Sequence, residues 1–159
     1  MMKSVIFLDI DGVLWPYNTN LPKDQYGYCF DKPCVEALQV LVEKSQADIV
    51  LSSSWKVAGL SAMVQMWDDR SLPGKLIDIT PDLQSKVDPL SVNDPYLLSR
   101  GYEIETWLTQ KSRYKNYLII DDLPDFTATQ MKHTITPASN QGLTMELVKK
   151  GLDILLMYI

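Results

Sequence analysis

The run Val5-Ile6-Phe7-Leu8 constrains this chain more than any other stretch. It is apolar without interruption and mostly β-favouring. A strand with no polar face is buried on both sides, as in the interior of a parallel sheet. The run ends on Asp9-Ile10-Asp11-Gly12. In open α/β sheets the ligand crevice lies beyond the carboxyl ends of the strands. A carboxylate at a strand tip and another just past it are therefore able to face one pocket, and Gly12 permits the tight turn between them. Asp and Gly also end strands for no chemical reason, so the rest of the chain decides what these residues mean.

Apolar periodicity predicts an alternation of strands and helices. Trp15 to Pro22 reads as a loop or short hairpin. Asp31-Lys32-Pro33 starts a helix with Asp31 as cap, and Val35, Leu38, Leu41 and Val42 carry it to about Ser45. A strand follows at 47–51, ending in Ser52-Ser53-Ser54-Trp55. A helix then presents Val57, Leu60, Val64 and Trp67, and Asp68 to Gly74 closes it. A strand at 75–79 leads into a proline-bearing loop over 80–95. A helix from about Gly101 carries Ile104, Trp107 and Leu108, and a fourth strand spans 116–120. A short fifth strand is predicted at 133–136. Thr144 caps a last helix with Leu147, Val148, Leu152, Leu155 and Leu156 inward, weakened by Gly151. Strand-helix alternation of this kind predicts a three-layer α/β sandwich around a parallel sheet of about five strands. At 159 residues the chain reads as one domain, 1–159.

The net charge is −5 and the isoelectric point about 4.8, which argues against gathering nucleic acid by bulk electrostatics and leaves room for a local basic groove. Cys29 and Cys34 have no partnering cluster, so neither a disulfide framework nor a zinc site is expected, and a reduced, cytoplasmic setting is the default. The N-terminus shows no signal-peptide pattern, and no apolar run approaches a membrane span. His133 reads as structural, Trp67 and Trp107 as core, and the basic run Lys111 to Lys115 as a solvated loop at the sheet edge away from the acids.

Three strands end in polar groups expected at one edge of the sheet: Asp9 and Asp11, then Ser52, then Asp121 and Asp122 with Asp125 a turn later. Paired acids on neighbouring parallel strands repel one another unless a cation neutralises them. Mg²⁺ suits such oxygen ligands, and it commonly retains waters and a substrate phosphate. The combination points to phosphoryl transfer.

With these residues in order, the chain resembles the haloacid dehalogenase (HAD) superfamily of phosphatases. Its first motif stands as Asp9-Ile10-Asp11-Gly12, its second as Ser52 after Ile49-Val50-Leu51, and its fourth as Asp121-Asp122 after Leu118-Ile119-Ile120. For the third, a Lys or Arg, Arg100 is the choice and Lys86 the runner-up. Leu51-Ser52-Ser53-Ser54-Trp55 with Arg100-Gly101-Tyr102-Glu103-Ile104 resembles a small capless subgroup whose relatives include domains attached to RNA-repair proteins.

The resemblance implies a Rossmann-like sheet of order 5-4-1-2-3 without a large cap. It implies Asp9 as nucleophile, giving an aspartyl-phosphate. Asp11 would be general acid and then base. Its backbone carbonyl would join Asp9, Asp121 and Asp122 (or Asp125) around Mg²⁺. Ser52, at a helix N-terminus, would hold a phosphate oxygen with Ser53 nearby, and Arg100 would offset phosphoryl charge. Trp15 and Trp55 would line the pocket mouth. The implied activity is Mg²⁺-dependent hydrolysis of a phosphomonoester. An uncapped site admits a phosphorylated macromolecule or a nucleic-acid end, and a small ester equally. Two other readings stay open: a phosphotransferase, and a non-catalytic domain that binds phosphate or a partner.

Overall fold

In this computed structural model residues 3–111 and 113–157 are described, Lys115 by its backbone alone. Met1 and Met2 of the N-terminal reading, and Ser112 within the basic run, lie outside them. β1 (Lys3–Leu8) is the middle strand, and its last four residues are fully buried. β4 (Asp48–Leu51) and β6 (Tyr114–Ile120) flank it in parallel. β5 (Leu76–Ile79) continues the sheet beside β4, and β7 (Thr134–Ile135) continues it beside β6. The order is β5-β4-β1-β6-β7. A separate antiparallel hairpin, β2 (Lys23–Asp24) with β3 (Gly27–Tyr28), interrupts the numbering. Counted without that hairpin, the sheet reads 5-4-1-2-3 from the β7 edge. The hairpin comes after the Trp15–Pro22 segment rather than falling within it.

Register is what makes a site possible. Leu8 pairs with Leu51 on one side and with Ile120 on the other. The next residues, Asp9, Ser52 and Asp121, therefore leave the sheet at one level.

Side chains alternate across the sheet. Ile6 and Leu8 face α1 (Lys32–Ser45), α2 (Leu60–Asp69) and α5 (Met145–Leu156), whereas Val5 and Phe7 face α3 (Arg100–Gln110); the one-turn α4 (Ala128–Met131) precedes β7. Helices on both faces complete the three layers. Between β1 and α1 the chain holds only a loop and the small hairpin, and between β5 and α3 a loop with two short 3₁₀ turns, so the described residues include no large cap.

Several expectations need correction. Asp31 occupies the N-cap of α1, but its side chain makes no capping bond. The helix predicted through Val57 is instead a five-residue 3₁₀ turn, Ser54–Ala58. Gly59, at φ +95°, breaks the chain before α2 begins. Val57 is consequently 75% exposed, and Met63 and Met66 join Trp67 inside. Leu156, one residue past buried Leu155 and so rotated off the inner face of α5, is on the surface. The proline-bearing loop contains two short 3₁₀ turns, Pro89–Ser91 and Pro95–Leu98, capped by Asp88 and Asp94. Thr144 caps α5 as expected, accepting from the Leu147 amide at 3.3 Å. No helix among the described residues is long and apolar enough to cross a membrane.

Candidate active site

Asp9 stands at the tip of β1 and is 2% exposed. Its amide donates to the Ile120 carbonyl at 2.9 Å, and its Oδ1 accepts from the Ile10 amide at 2.8 Å. Asp121 occupies the same place after β6 and is equally buried. Its Oδ1 accepts from the Leu123 amide at 3.0 Å. Arg100, the first residue of α3, bridges the two: Nη1 lies 3.0 Å from Asp9 Oδ2 and 2.8 Å from Asp121 Oδ2. The start of α3 is fixed by Ser99, whose hydroxyl accepts from the Tyr102 amide at 3.2 Å.

Asp122 completes a cluster. One carboxylate oxygen each from Asp9, Asp121 and Asp122 lies within 4.8 Å of the others. Ser139 donates to Asp122 Oδ2 at 2.8 Å and holds it there. Gly12, at φ +78°, passes so close that a Cβ would strike the Asp122 carboxylate. The turn after β1 is tied by the Gly12 amide to the Trp15 carbonyl and by the Leu14 amide to the Ile10 carbonyl, each at 2.9 Å. Half-buried Asp11 rides on this turn outside the carboxylate cluster, and Trp55 Nε1 donates to its Oδ1 at 2.9 Å.

The electrostatics follow from burial. Desolvation first, and then the neighbouring Asp121 charge, push the Asp9 carboxyl up from its ordinary 3.8 to about 8, against the pull of Arg100. Asp121 is also raised, again chiefly by burial. Burial disfavours the Arg100 cation, but Asp9 and Asp121 outweigh it and hold the guanidinium charged. One cation thus serves two buried acids with a third alongside. A donor set of hard carboxylate oxygens short of positive charge fits Mg²⁺.

Ser52 is 2% exposed, its amide bonded to the Leu8 carbonyl at 2.9 Å. Its hydroxyl is buried without a partner among the described residues, an arrangement that calls for an acceptor from outside the protein. The helix-dipole role expected of Ser52 does not hold, because the chain enters the short 3₁₀ turn Ser54–Ala58 and not an α-helix. Ser53 caps that turn, accepting from the Trp55 amide at 3.3 Å.

Lys86 and Asp125 are exposed, and neither joins the cluster. Trp15 stacks on Tyr28 with centroids 4.2 Å apart, and Tyr17 meets it edge-on at 5.3 Å. Burial raises the Tyr17 phenol, and the charges of Asp122, Asp11 and Asp9 raise it further, which sets this aromatic group beside the acids.

Sequence reasoning missed a buried pair next door. Lys56 Nζ lies 2.7 Å from Glu103 Oε1, and it donates to Thr80 Oγ1 at 2.9 Å. Glu103 Oε2 accepts from the Leu83 amide at 2.8 Å. The available signal was the spacing of Glu103, one turn past Arg100 and adjacent to core Ile104. A cavity of about 350 Å³ opens here, lined by Ser53, Ser54, Lys56, Gln84, Arg100 and Glu103. A separate cavity of about 670 Å³ among Tyr96, Glu105, Tyr117 and Gln130 contains none of the clustered aspartates. His133 lies stacked on Tyr117 and away from the cluster.

The family model described as the HAD domain in Swiss Army Knife RNA repair proteins matches residues 5–148. No curated protein matches the chain.

Proposed function

The chain belongs to the family of HAD domains in Swiss Army Knife RNA repair proteins, and from that premise we propose that it is a Mg²⁺-dependent phosphomonoester hydrolase, a single HAD unit over residues 1–159. The observation that carries this reading is the cluster of buried Asp9 and Asp121 with half-buried Asp122, Arg100 spanning Asp9 and Asp121.

Asp9 is the nucleophile. As its carboxylate oxygen bonds to phosphorus, the bond from phosphorus to the ester oxygen breaks, and Asp11 gives its proton to that oxygen. Water then attacks the aspartyl-phosphate and loses a proton to Asp11. The phosphorus–Asp9 bond breaks, releasing inorganic phosphate and restoring both acids. The Ser52 hydroxyl donates to a phosphate oxygen. Arg100 offsets charge on the phosphoryl group as it transfers. Asp9, Asp121, Asp122 and the Asp11 carbonyl would hold Mg²⁺, which supplies the positive charge that keeps Asp9 ionised and stabilises the phosphoryl oxygens.

The substrate class we propose is a phosphorylated macromolecule, a nucleic-acid end foremost. The absence of a large cap among the described residues supports it, as do the packed aromatic side chains Trp15 and Tyr17 a few residues past Asp11 and the company this family keeps in RNA repair proteins. The acidic net charge of −5 means that the contacts would be local.

The test is phosphate release from p-nitrophenyl phosphate and from an end-phosphorylated oligoribonucleotide, with Mg²⁺ or with chelator, for wild type and Asp9→Asn. Turnover that needs both Mg²⁺ and Asp9 is expected, with the oligonucleotide preferred. No turnover of either ester, together with no Mg²⁺-dependent binding of beryllium fluoride, would replace this reading with a non-catalytic one.

A further inference from the structure

Trp55 lies beside the acids with its polar edge turned inward. Its indole Nε1–H donates to Asp11 Oδ1 at 2.9 Å. The rest of the ring is held from several sides. Gly27 in the hairpin approaches so closely that a Cβ there would lie 3.3 Å from Trp55 Cη2. The Phe30 ring packs at 5.6 Å between centroids, and the Arg70 guanidinium lies 5.7 Å from the indole. Arg70 is itself pinned, donating to both oxygens of Asp24 at 2.6 and 2.9 Å and to the Gly27 carbonyl at 3.2 Å. The hairpin, Arg70 and Phe30 thus form a bracket that leaves the indole few other orientations.

An indole nitrogen donates and cannot accept. The Asp11 oxygen that receives its hydrogen therefore cannot carry the acid proton toward it. In the protonated acid that oxygen is the carbonyl oxygen, and the hydroxyl is on the other. The other oxygen has no protein hydrogen bond among the described residues. We infer that Trp55 is a positioning residue for the general acid: its N–H turns the Asp11 carboxyl so that the proton-bearing oxygen faces the leaving group. The inference rests on the reading of Asp11 as proton donor. The proton passes from the free oxygen of Asp11 to the ester oxygen as the phosphorus–oxygen bond breaks. The indole bond stays in place throughout.

A purely structural Trp55 would affect every substrate alike. A residue that aims the acid matters most when the leaving oxygen needs a proton. The experiment therefore compares kcat/KM for p-nitrophenyl phosphate, whose leaving group departs unaided, with that for phenyl phosphate, whose leaving group is far more basic. Trp55→Phe keeps an aromatic ring in the bracket and removes the N–H. The expected loss is about 10-fold with phenyl phosphate and less than about 2-fold with p-nitrophenyl phosphate. In the Asp11→Asn background Trp55→Phe should add no further selectivity between the two esters.

An equal loss on both esters, or no loss on either, overturns the inference while Mg²⁺- and Asp9-dependent turnover still supports the proposed function. If wild type hydrolyses neither these esters nor the end-phosphorylated oligoribonucleotide in an Asp9-dependent way, and shows no Mg²⁺-dependent binding of beryllium fluoride, both readings fall together. A second measurement does not depend on turnover or on the stability of Trp55→Phe. In the ¹⁵N-labelled protein the Trp55 indole proton should move upfield on Asp11→Asn, and an unmoved resonance overturns the contact.

Discussion

Gly12 and Asp122 are in such close register that no side chain fits between them: a Cβ on Gly12 would meet the Asp122 carboxyl group head-on. The backbone at Gly12 is also left-handed, at φ +78°. An alanine there takes on about 1 kcal/mol of conformational strain. The larger effect falls on Asp122, because a carboxylate on a short side chain yields more readily than the strand-end backbone does. Gly12→Ala is therefore expected to fold with modestly reduced stability and to lose much of its Mg²⁺ affinity. Thermal melts paired with Mg²⁺ titration check this. A variant that melts far below wild type and keeps its affinity when folded would contradict it.

Asp9 makes the metal-free protein sensitive to pH in an unusual direction. Burial, aided by the Asp121 charge, raises its carboxyl from 3.8 to about 8. Between those values the folded protein binds a proton that the unfolded chain has released, so stability falls as pH rises across the window. Magnesium bound as proposed would compete with that proton, and its affinity should rise over the same range. With chelator present, the melting temperature should drop between about pH 5 and about pH 8. Asp9→Asn should make the drop shallower without removing it, since Asp121 is shifted in the same direction. Added Mg²⁺ should stabilise wild type most at the upper end. A chelated wild type that gains stability with pH would refute the argument.

The Lys56–Glu103 pair is 7% and 1% exposed at its two side chains. Breaking such a pair leaves one charge buried and costs about 3 kcal/mol or more. Lys56→Met should destabilise by about that much in urea denaturation, moderated because Glu103 keeps the Leu83 amide as donor. Adding Glu103→Gln removes the stranded charge. The double variant should lose less than the sum of the singles, with a coupling of about 2 kcal/mol. Additive losses would mean that the ammonium and carboxylate do not stabilise one another.

The parallel sheet and the strand-end acids were legible because both come from local pattern. The Val5–Leu8 run has to be buried, and Asp9 and Asp121 follow apolar runs whose register the sheet then aligns. Arg100 was legible only through the resemblance, since no local rule tells a functional arginine before a helix from a solvated one. Other features were hidden because they depend on contacts far apart in sequence. Lys56 and Glu103 are 47 residues apart, and Trp55 is 44 residues from Asp11. The break at Gly59 went unread because Val57, Leu60 and Val64 fit a helical period by themselves. Only the left-handed backbone at the glycine shows that the period is interrupted.

Gly151 shows the same limit at one position. Within a helix its substitution by alanine should gain about 1 kcal/mol from propensity. In the fold, a Cβ at Gly151 would lie 3.0 Å from Leu118 Cδ2, 3.4 Å from Leu41 Cδ1 and 3.5 Å from Ile135 Cδ1. Leu118 and Leu41 are fully buried and have little room to withdraw. Overpacking of this kind costs about 1–3 kcal/mol, which exceeds the propensity gain. Gly151→Ala is therefore expected to destabilise by about 1 kcal/mol in urea denaturation. The mechanism is tested by shortening the neighbour. In a Leu118→Val background the nearest methyl group is gone, the propensity gain is uncovered, and Gly151→Ala should become stabilising. If the alanine destabilises equally in both backgrounds, the close approach of α5 to β6 is not what keeps glycine at this position.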